Sequence, residues 1–440
     1  MSNLKEKIMK TLSGISGFKP TYAAILIFLT LLLNSSGNNL FLPNSTRLVN
    51  SLKSSSLNNV KVYPSSAAEV LVKAQEDWQN INNALQDAGS GDVVELAEGL
   101  FYLHKTIIKY DFIGTLKGSG KGQTTVQTAP GIVFDVSEAP FMEWNNDYTT
   151  EGHQMFCLPH QYNTEERMVI ISDMKIVVSE PTTPYQVNIH GAYGQLPETN
   201  NSLQVFNVYY EGLDNDLLNP IHLNVHYKDI NITGLEDSIV YKEYLYSISC
   251  GLVALGASSG EVFVDDINIT NAYTGIGIHV WTGGGPSVTI KGSRIENVLW
   301  GISSEMVKSW VISENEIINS QQNGIYLSTF GYQNESAVLE DNLLFMDAIN
   351  YAINGIKLKN VKVRNNVFTG SSKIGVRAKG DNWLIEDNDF CGFTANRPDG
   401  ANIVLRQASN CTVKDNANQI VGGSSANDPS NSIEEPKDCN

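Results

Sequence analysis

IKGSRI (290–295), ISENEI (312–317), LEDNLL (339–344), VRNNVF (363–368), IEDNDF (385–390) and VKDNAN (413–418) are one phrase written six times. Aligned, they set Ile290, Ile312, Leu339, Val363, Ile385 and Val413 in a single column, at steps of 22, 27, 24, 22 and 28 residues. Three positions further on, the last five carry Asn315, Asn342, Asn366, Asn388 and Asn416. Weaker copies precede them: IISDMKI around Ile171, HYKDINI around Tyr227 and FVDDINI around Val264. A second short strand recurs a dozen or so residues on, in GIGIHV (from Gly275), GISSEM (from Gly301), GIYLST (from Gly324), GIKLK (from Gly355), GVRAK (from Gly375) and NIVLR (from Asn402).

Strands this short, alternating in and out, cannot bury their apolar face alone. Stacking one coil on the next buries it and pairs the backbone between coils. The expected fold is therefore all-β, a parallel β-helix solenoid with long loop insertions. Asn suits the turn column because it tolerates the left-handed conformation and its amide can bond the same amide one coil away. A leucine-rich horseshoe lacks its L-x-x-L-x-L frame here, and a propeller needs four strands in each ~40-residue blade.

The rest of the chain is organised around that stack. Lys5, Lys7, Lys10 and Lys19 precede the apolar run 23–33, so 1–33 reads as a signal peptide or membrane-proximal apolar segment, too short to span a bilayer. Residues 34–66 read as a flexible Ser/Asn-rich leader. Leu71, Ala74, Trp78, Ile81 and Leu85 mark one face of a helix over 67–88. The solenoid runs over 67–421, with 137–225 rich in insertions too long for turns, and 422–440 reads as a disordered tail. Five cysteines (157, 250, 391, 411, 439) are too few and scattered for a disulfide framework, and their odd number leaves at least one unpaired in a monomer.

The Asn column, the Gly-Ile strand starts and the helix leading into GDVVELAEGLFYL (91–103) resemble the right-handed parallel β-helix, pectate-lyase-like superfamily. The resemblance spans roughly 70–420. It implies a right-handed coil whose first turn is plugged by the helix, and a carbohydrate-active protein; it does not fix the chemistry. The paired aspartates, Gly-His-Gly and Arg-Ile-Lys of polygalacturonases are absent, as is the Asp-Pro-His of mannuronan epimerases, so no catalytic residue carries over by motif.

Charge supplies the functional expectation. The net charge is −17, which argues against a nucleic-acid partner. Yet residues 348–380 hold Lys357, Lys359, Lys362, Arg364, Lys373, Arg377 and Lys379 with no acid until Asp381. Alternation turns Ile356 and Leu358 inward and Lys357 and Lys359 outward in GIKLK. In GVRAK it turns Arg377 and Lys379 outward, and the same rule brings Arg406, Tyr326 and His279 to that face. Stacked like charges destabilise a sheet, so such a wall implies an anionic visitor. Tyr326, His279, Lys357 and Arg377 are the catalytic candidates, for proton abstraction beside a neutralised carboxylate. Lys359, Lys379 and Arg406, with Trp144 and Tyr193 from the aromatic- and His-rich insertions, are the binding candidates. Glu386, Asp387 and Asp389 form a possible calcium site within an acidic column (Asp173, Asp229, Asp266, Glu314, Asp341, Asp387, Asp415) that turn chemistry explains more simply. The expectation is a secreted, periplasmic or cell-surface monomer. It acts on or binds an acidic polysaccharide in the manner of a polysaccharide lyase, with no membrane span once the signal is cleaved. The alternative is a non-catalytic surface or matrix protein that binds glycans or proteins.

Overall fold

A computed structural model describes residues 58–135, 142–144, 148–150, 153–161, 166–179, 203–211, 222–234, 252–255, 260–279, 285–329 and 336–439. Three parallel walls wind about one apolar core, and each turn of the coil forms a rung. On the first wall the expected column continues toward the N-terminus. Val94, Leu116, Ile171, Tyr227 and Val264 lead into Ile290, Ile312, Leu339, Val363, Ile385 and Val413, each in register with the next. All eleven are buried, so the apolar period of the sequence is the core itself.

A single residue turns the chain from the first wall to the second. Asp173, Asp229, Asp266, Glu314, Asp341, Asn365, Asp387 and Asp415 hold φ between 50° and 60° there. The acidic column is thus a left-handed turn, where a short polar side chain is tolerated best. The buried Asn column follows at once. Asn315, Asn342, Asn366 and Asn388 each donate Nδ2 to the Oδ1 of the next, at 2.8–3.0 Å. The same Oδ1 atoms accept the backbone N–H of the preceding Asn. A fold that must bury a polar turn on every rung satisfies it by stacking like on like.

The repeated glycine marks the corner between second and third walls. A Cβ on Gly301 would lie 2.3 Å from the Gly324 carbonyl, and one on Gly324 2.6 Å from that of Ala352. Ala352, not Gly355, occupies the corner on its rung. GIKLK is therefore displaced from the alignment read in sequence: Tyr326 pairs with Asn354, and Ser328 with Ile356.

Both ends depart from expectation in being more ordered. Helix α1 (Val70–Asp87) plugs the first rungs with Ala74, Ile81, Ala84 and Leu85, and with Asp77, whose carboxylate takes the Tyr102 N–H at 2.8 Å and pairs with Lys73 at 3.0 Å. Ahead of it, Asn59–Val62 of the supposed flexible leader is a strand paired with residues 93–96. The supposed disordered tail carries strands Val421–Gly422 and Ser432–Ile433 that extend the stack. A disulfide, Cys391–Cys439, staples its end. Lys437 bridges Asp387 (3.0 Å) and Asp415 (3.3 Å) across the same corner. Cys157 and Cys411 are buried free thiols, and Cys250 lies outside the described residues.

Asn366→Ala should cost about 2–4 kcal/mol in urea denaturation, because it leaves neighbouring buried donors and acceptors unpaired on both adjoining rungs. A loss below about 0.5 kcal/mol would mean that the ladder contributes nothing to stability.

Candidate functional site: the third wall

The outer surfaces of the three walls differ in kind. Along the first wall, one outward column reads Lys61, Glu95, Lys117, Ser172, Lys228, Asp265, Lys291, Ser313, Glu340, Arg364, Glu386 and Lys414. Wherever two charges adjoin, they alternate in sign. Glu95 pairs with Lys61 (3.1 Å) and Lys117 (3.2 Å), Arg364 with Glu340 (2.6 Å), and Lys414 with Glu386 (3.2 Å). This column is electrically closed. The second wall carries Arg294 with Glu296 and Glu316 beside the exposed apolar Phe345 and Val367.

The third wall is different. Its strands are Ile107–Ile108, His153–Gln161, Leu203–Glu211, Leu252–Leu255 and the parts of later strands that follow the glycine corner. Ile107, Phe156, Phe206, Ile276, Ile302, Ile325, Ile353, Val376 and Ile403 face the core, with Phe156 stacked on Phe206 at 5.2 Å. The adjoining outward column runs Cys157, Asn207, Gly277, Ser303, Tyr326, Asn354, Arg377 and Val404. It is buried at Cys157, Asn207, Gly277, Ser303, Asn354 and Val404, and opens at Tyr326 and Arg377, which are half-exposed. Two residues on, a second column brings His279, Glu305, Ser328 and Ile356 into register.

The sequence candidates divide between these surfaces. Tyr326 and Arg377 share the first outward column, two rungs apart, with Asn354 between them. His279 lies in the second. Lys357, Lys379 and Arg406 gather where the third wall turns into the first. On these three rungs Gly355, Ala378 and Leu405 align before the corner, and Leu358, Gly380 and Ala408 after it. The turn there is left-handed at Lys357 (φ 57°) and Gln407 (φ 50°). Among the described residues no carboxylate pairs with Lys357, Arg377, Lys379 or Arg406.

Other expectations are corrected. Ile356, read as inward, is half exposed, and Gly355 takes the inward place because the Trp383 ring fills the space its Cβ would need. Lys359 therefore passes the corner onto the first wall, opposite Asp381. Its charge helps to hold that carboxylate below its usual range, after the bonds from Asn410 and Ser409. Lys362 and Arg364 also belong to the first wall. The calcium candidates point three ways: Glu386 to Lys414, Asp387 to Lys437, and Asp389 to the Cys391 N–H at 2.8 Å. No group of three potential metal ligands exists among the described residues. Trp144 ends a strand, Met142–Trp144, paired antiparallel with Tyr148–Thr150; Tyr193 and His190 lie outside the described residues.

Sequence reasoning missed several members. HQMFCLPHQ and LQVFNVYYE, read as insertion, are third-wall strands, and their M-F-C-L and V-F-N-V alternation was the available signal. Trp300 meets Tyr326 edge-on at 5.3 Å, and Tyr351 lies under the Arg377 guanidinium at 5.2 Å. Asn323 sits in register between Trp300 and Tyr351, and its buried Oδ1 accepts no bond. His160, from the His-rich insertions, is buried at the end of the third wall. Its Nδ1 is 3.3 Å from Arg167, which in turn binds Asp111.

Residues 230–390 match the family model described as the right handed beta helix region. Among solved structures, the chain is similar to a DFA-IIIase from Arthrobacter chlorophenolicus A6 in complex with GF2, at 13% identity over 86% of this chain and 94% of that one, TM-score 0.50. It is also similar to a PL6 alginate lyase in complex with a trisaccharide, at 12% identity over 83% and 72%, TM-score 0.46. No curated protein matches the chain in sequence. The protein has the right-handed parallel β-helix fold.

His160 gives this region a pH dependence. Burial first, and the Arg167 charge second, hold the imidazole down to about 4, against the pull of Asp111. In the unfolded chain it titrates near 6.5. Between these values the unfolded state binds a proton that the folded state refuses. Stability is therefore intact above about pH 6.5 and falls by up to about 3 kcal/mol as pH drops to 4. Urea midpoints measured from pH 7 to 4.5 should decline, and His160→Gln should flatten that decline. Equal slopes for both proteins would remove His160 from the account.

Proposed function

We propose that the third wall binds an acidic polysaccharide laid along the stack of rungs, and that the protein is exported to reach it. The observation that carries this reading is the contrast between walls. In the outward column of the first wall, cations alternate with acids, and Lys61, Lys117, Arg364 and Lys414 are held in ion pairs, whereas Lys357, Arg377, Lys379 and Arg406 gather with none. Uncompensated like charges on adjoining rungs repel, and a polyanion relieves that repulsion along its length. Half-exposed Trp300, Tyr326 and Tyr351 add faces on which sugar rings can pack. The solved structures named above are carbohydrate-active β-helix enzymes, in keeping with a glycan ligand. The Cys391–Cys439 disulfide suits an oxidising compartment, as the basic–apolar opening of the chain does.

The chemistry the site favours is β-elimination from a uronate. Arg377 neutralises the carboxylate, which acidifies the adjoining C–H. Tyr326, the proton-transferring side chain in the same column, takes that proton; the freed electron pair forms the C4–C5 double bond as the C4–O bond breaks, and the departing oxygen is protonated by water. A second reading, binding without turnover, is supported by the breadth of the cation set, which continues beyond Arg377 to Arg406 as a track rather than a single centre.

Pectate, alginate and chondroitin sulfate, incubated with the protein, decide between these readings. Binding that weakens as salt rises, with Arg377→Ala and Lys379→Ala each reducing affinity about tenfold and Lys61→Ala leaving it unchanged, is the expected result. Growth of unsaturated-uronate absorbance that Tyr326→Phe abolishes would establish the lyase; binding alone would establish the track. Equal binding by the Lys61 and Arg377 variants would sink the assignment to this wall.

A further inference from the structure

Arg377 does not extend freely from its strand. Its guanidinium lies 5.2 Å from the centre of the Tyr351 ring, and its Nη1 reaches Asn354 Oδ1 at 3.5 Å. Both partners stand one rung earlier, Asn354 directly in register with Arg377 and Tyr351 with Ile374. The cation thus leans back along the axis, over the rung that separates it from Tyr326. Tyr351 is itself fixed, because it packs against the buried cluster of Ile374, Ala401 and Val404. An aromatic ring wedged on three apolar side chains gives an arginine a defined resting place. In its absence a guanidinium on an outward strand position would sweep a wide arc of solvent.

We infer that Tyr351 is a positioning residue, which holds Arg377 back over the Asn354 rung and so fixes where an anionic group of the ligand rests relative to Tyr326. The inference builds on the acidic-glycan reading of the third wall. It adds what that reading leaves open: the two functional side chains stand two rungs, ~9.6 Å, apart along the wall, and the lean of the guanidinium brings it back to within about one rung of Tyr326. Tyr351 acts through its ring face, not its hydroxyl, so Phe serves in its place and Leu does not.

The test is a double-mutant cycle on the full chain, with binding to alginate and to polygalacturonate measured at low and physiological salt. Tyr351→Leu is expected to weaken binding about three- to tenfold, the range of one cation–π contact, and Tyr351→Phe to stay within about twofold of wild type. The Tyr351→Leu substitution should add nothing once Arg377→Ala is present. Thermal midpoints of all variants accompany the series. If Tyr351→Leu does not fold, the Phe variant carries the test, since a role through the hydroxyl predicts its loss of binding. Equal weakening by Tyr351→Leu with and without Arg377→Ala, or a Phe variant as weak as Leu, would overturn the inference while leaving the acidic-glycan reading intact. A wild-type protein that binds neither polymer removes both.

Discussion

Everything in this molecule follows from backbone hydrogen bonds that run between rungs. Because each strand pairs in parallel with its counterpart one turn later, every residue stands ~4.8 Å from its equivalent above and below. A side chain is therefore selected largely by whether it tolerates a near-copy of itself as neighbour. Isoleucine over valine builds core, and asparagine over asparagine builds a hydrogen-bonded ladder. Lysine over lysine is admissible only where something else supplies the counter-charge. The core, the turn and the ligand face are three answers to that one constraint.

The same constraint explains what could be read from the sequence. The first-wall column and the Asn ladder were visible because both are nearly invariant from rung to rung, and the turn between them has fixed length. The third wall was harder. Its strands lack a polar marker, and the corner that feeds it is identified by small residues that need not be glycine. Ala352 serves at one rung, while the nearby Gly355 has a different task, making room for Trp383. Aligning on that glycine slipped GIKLK and carried Lys359 to the wrong wall. Two whole strands, His153–Gln161 and Leu203–Glu211, were hidden because long connections separate them from the rungs they join.

The candidate site shows how linear charge counts mislead in a coil. Seven cations within 348–380 read as one basic wall, yet a single rung passes through three walls in about two dozen residues. The run is divided by the corner after Lys357, and Arg364 is matched by Glu340 from an earlier rung. What the count did capture is Arg377 and Lys379, joined on the next rung by Arg406, and their neighbours along the axis carry no acid. The aromatic supports, Trp300 and Tyr351, escaped notice because each acts on a residue of the next rung, a relation that only the register reveals.

The alternating charge column of the first wall has a consequence for how the chain finds its arrangement. The inward columns are nearly uniform, so a solenoid that skipped one turn while stacking would lose little apolar burial and could trap itself out of place. Skipping a turn would, however, set Lys61 against Lys117 and Glu340 against Glu386. The column therefore behaves like a keyed edge, distinguishing neighbours that the core treats as interchangeable.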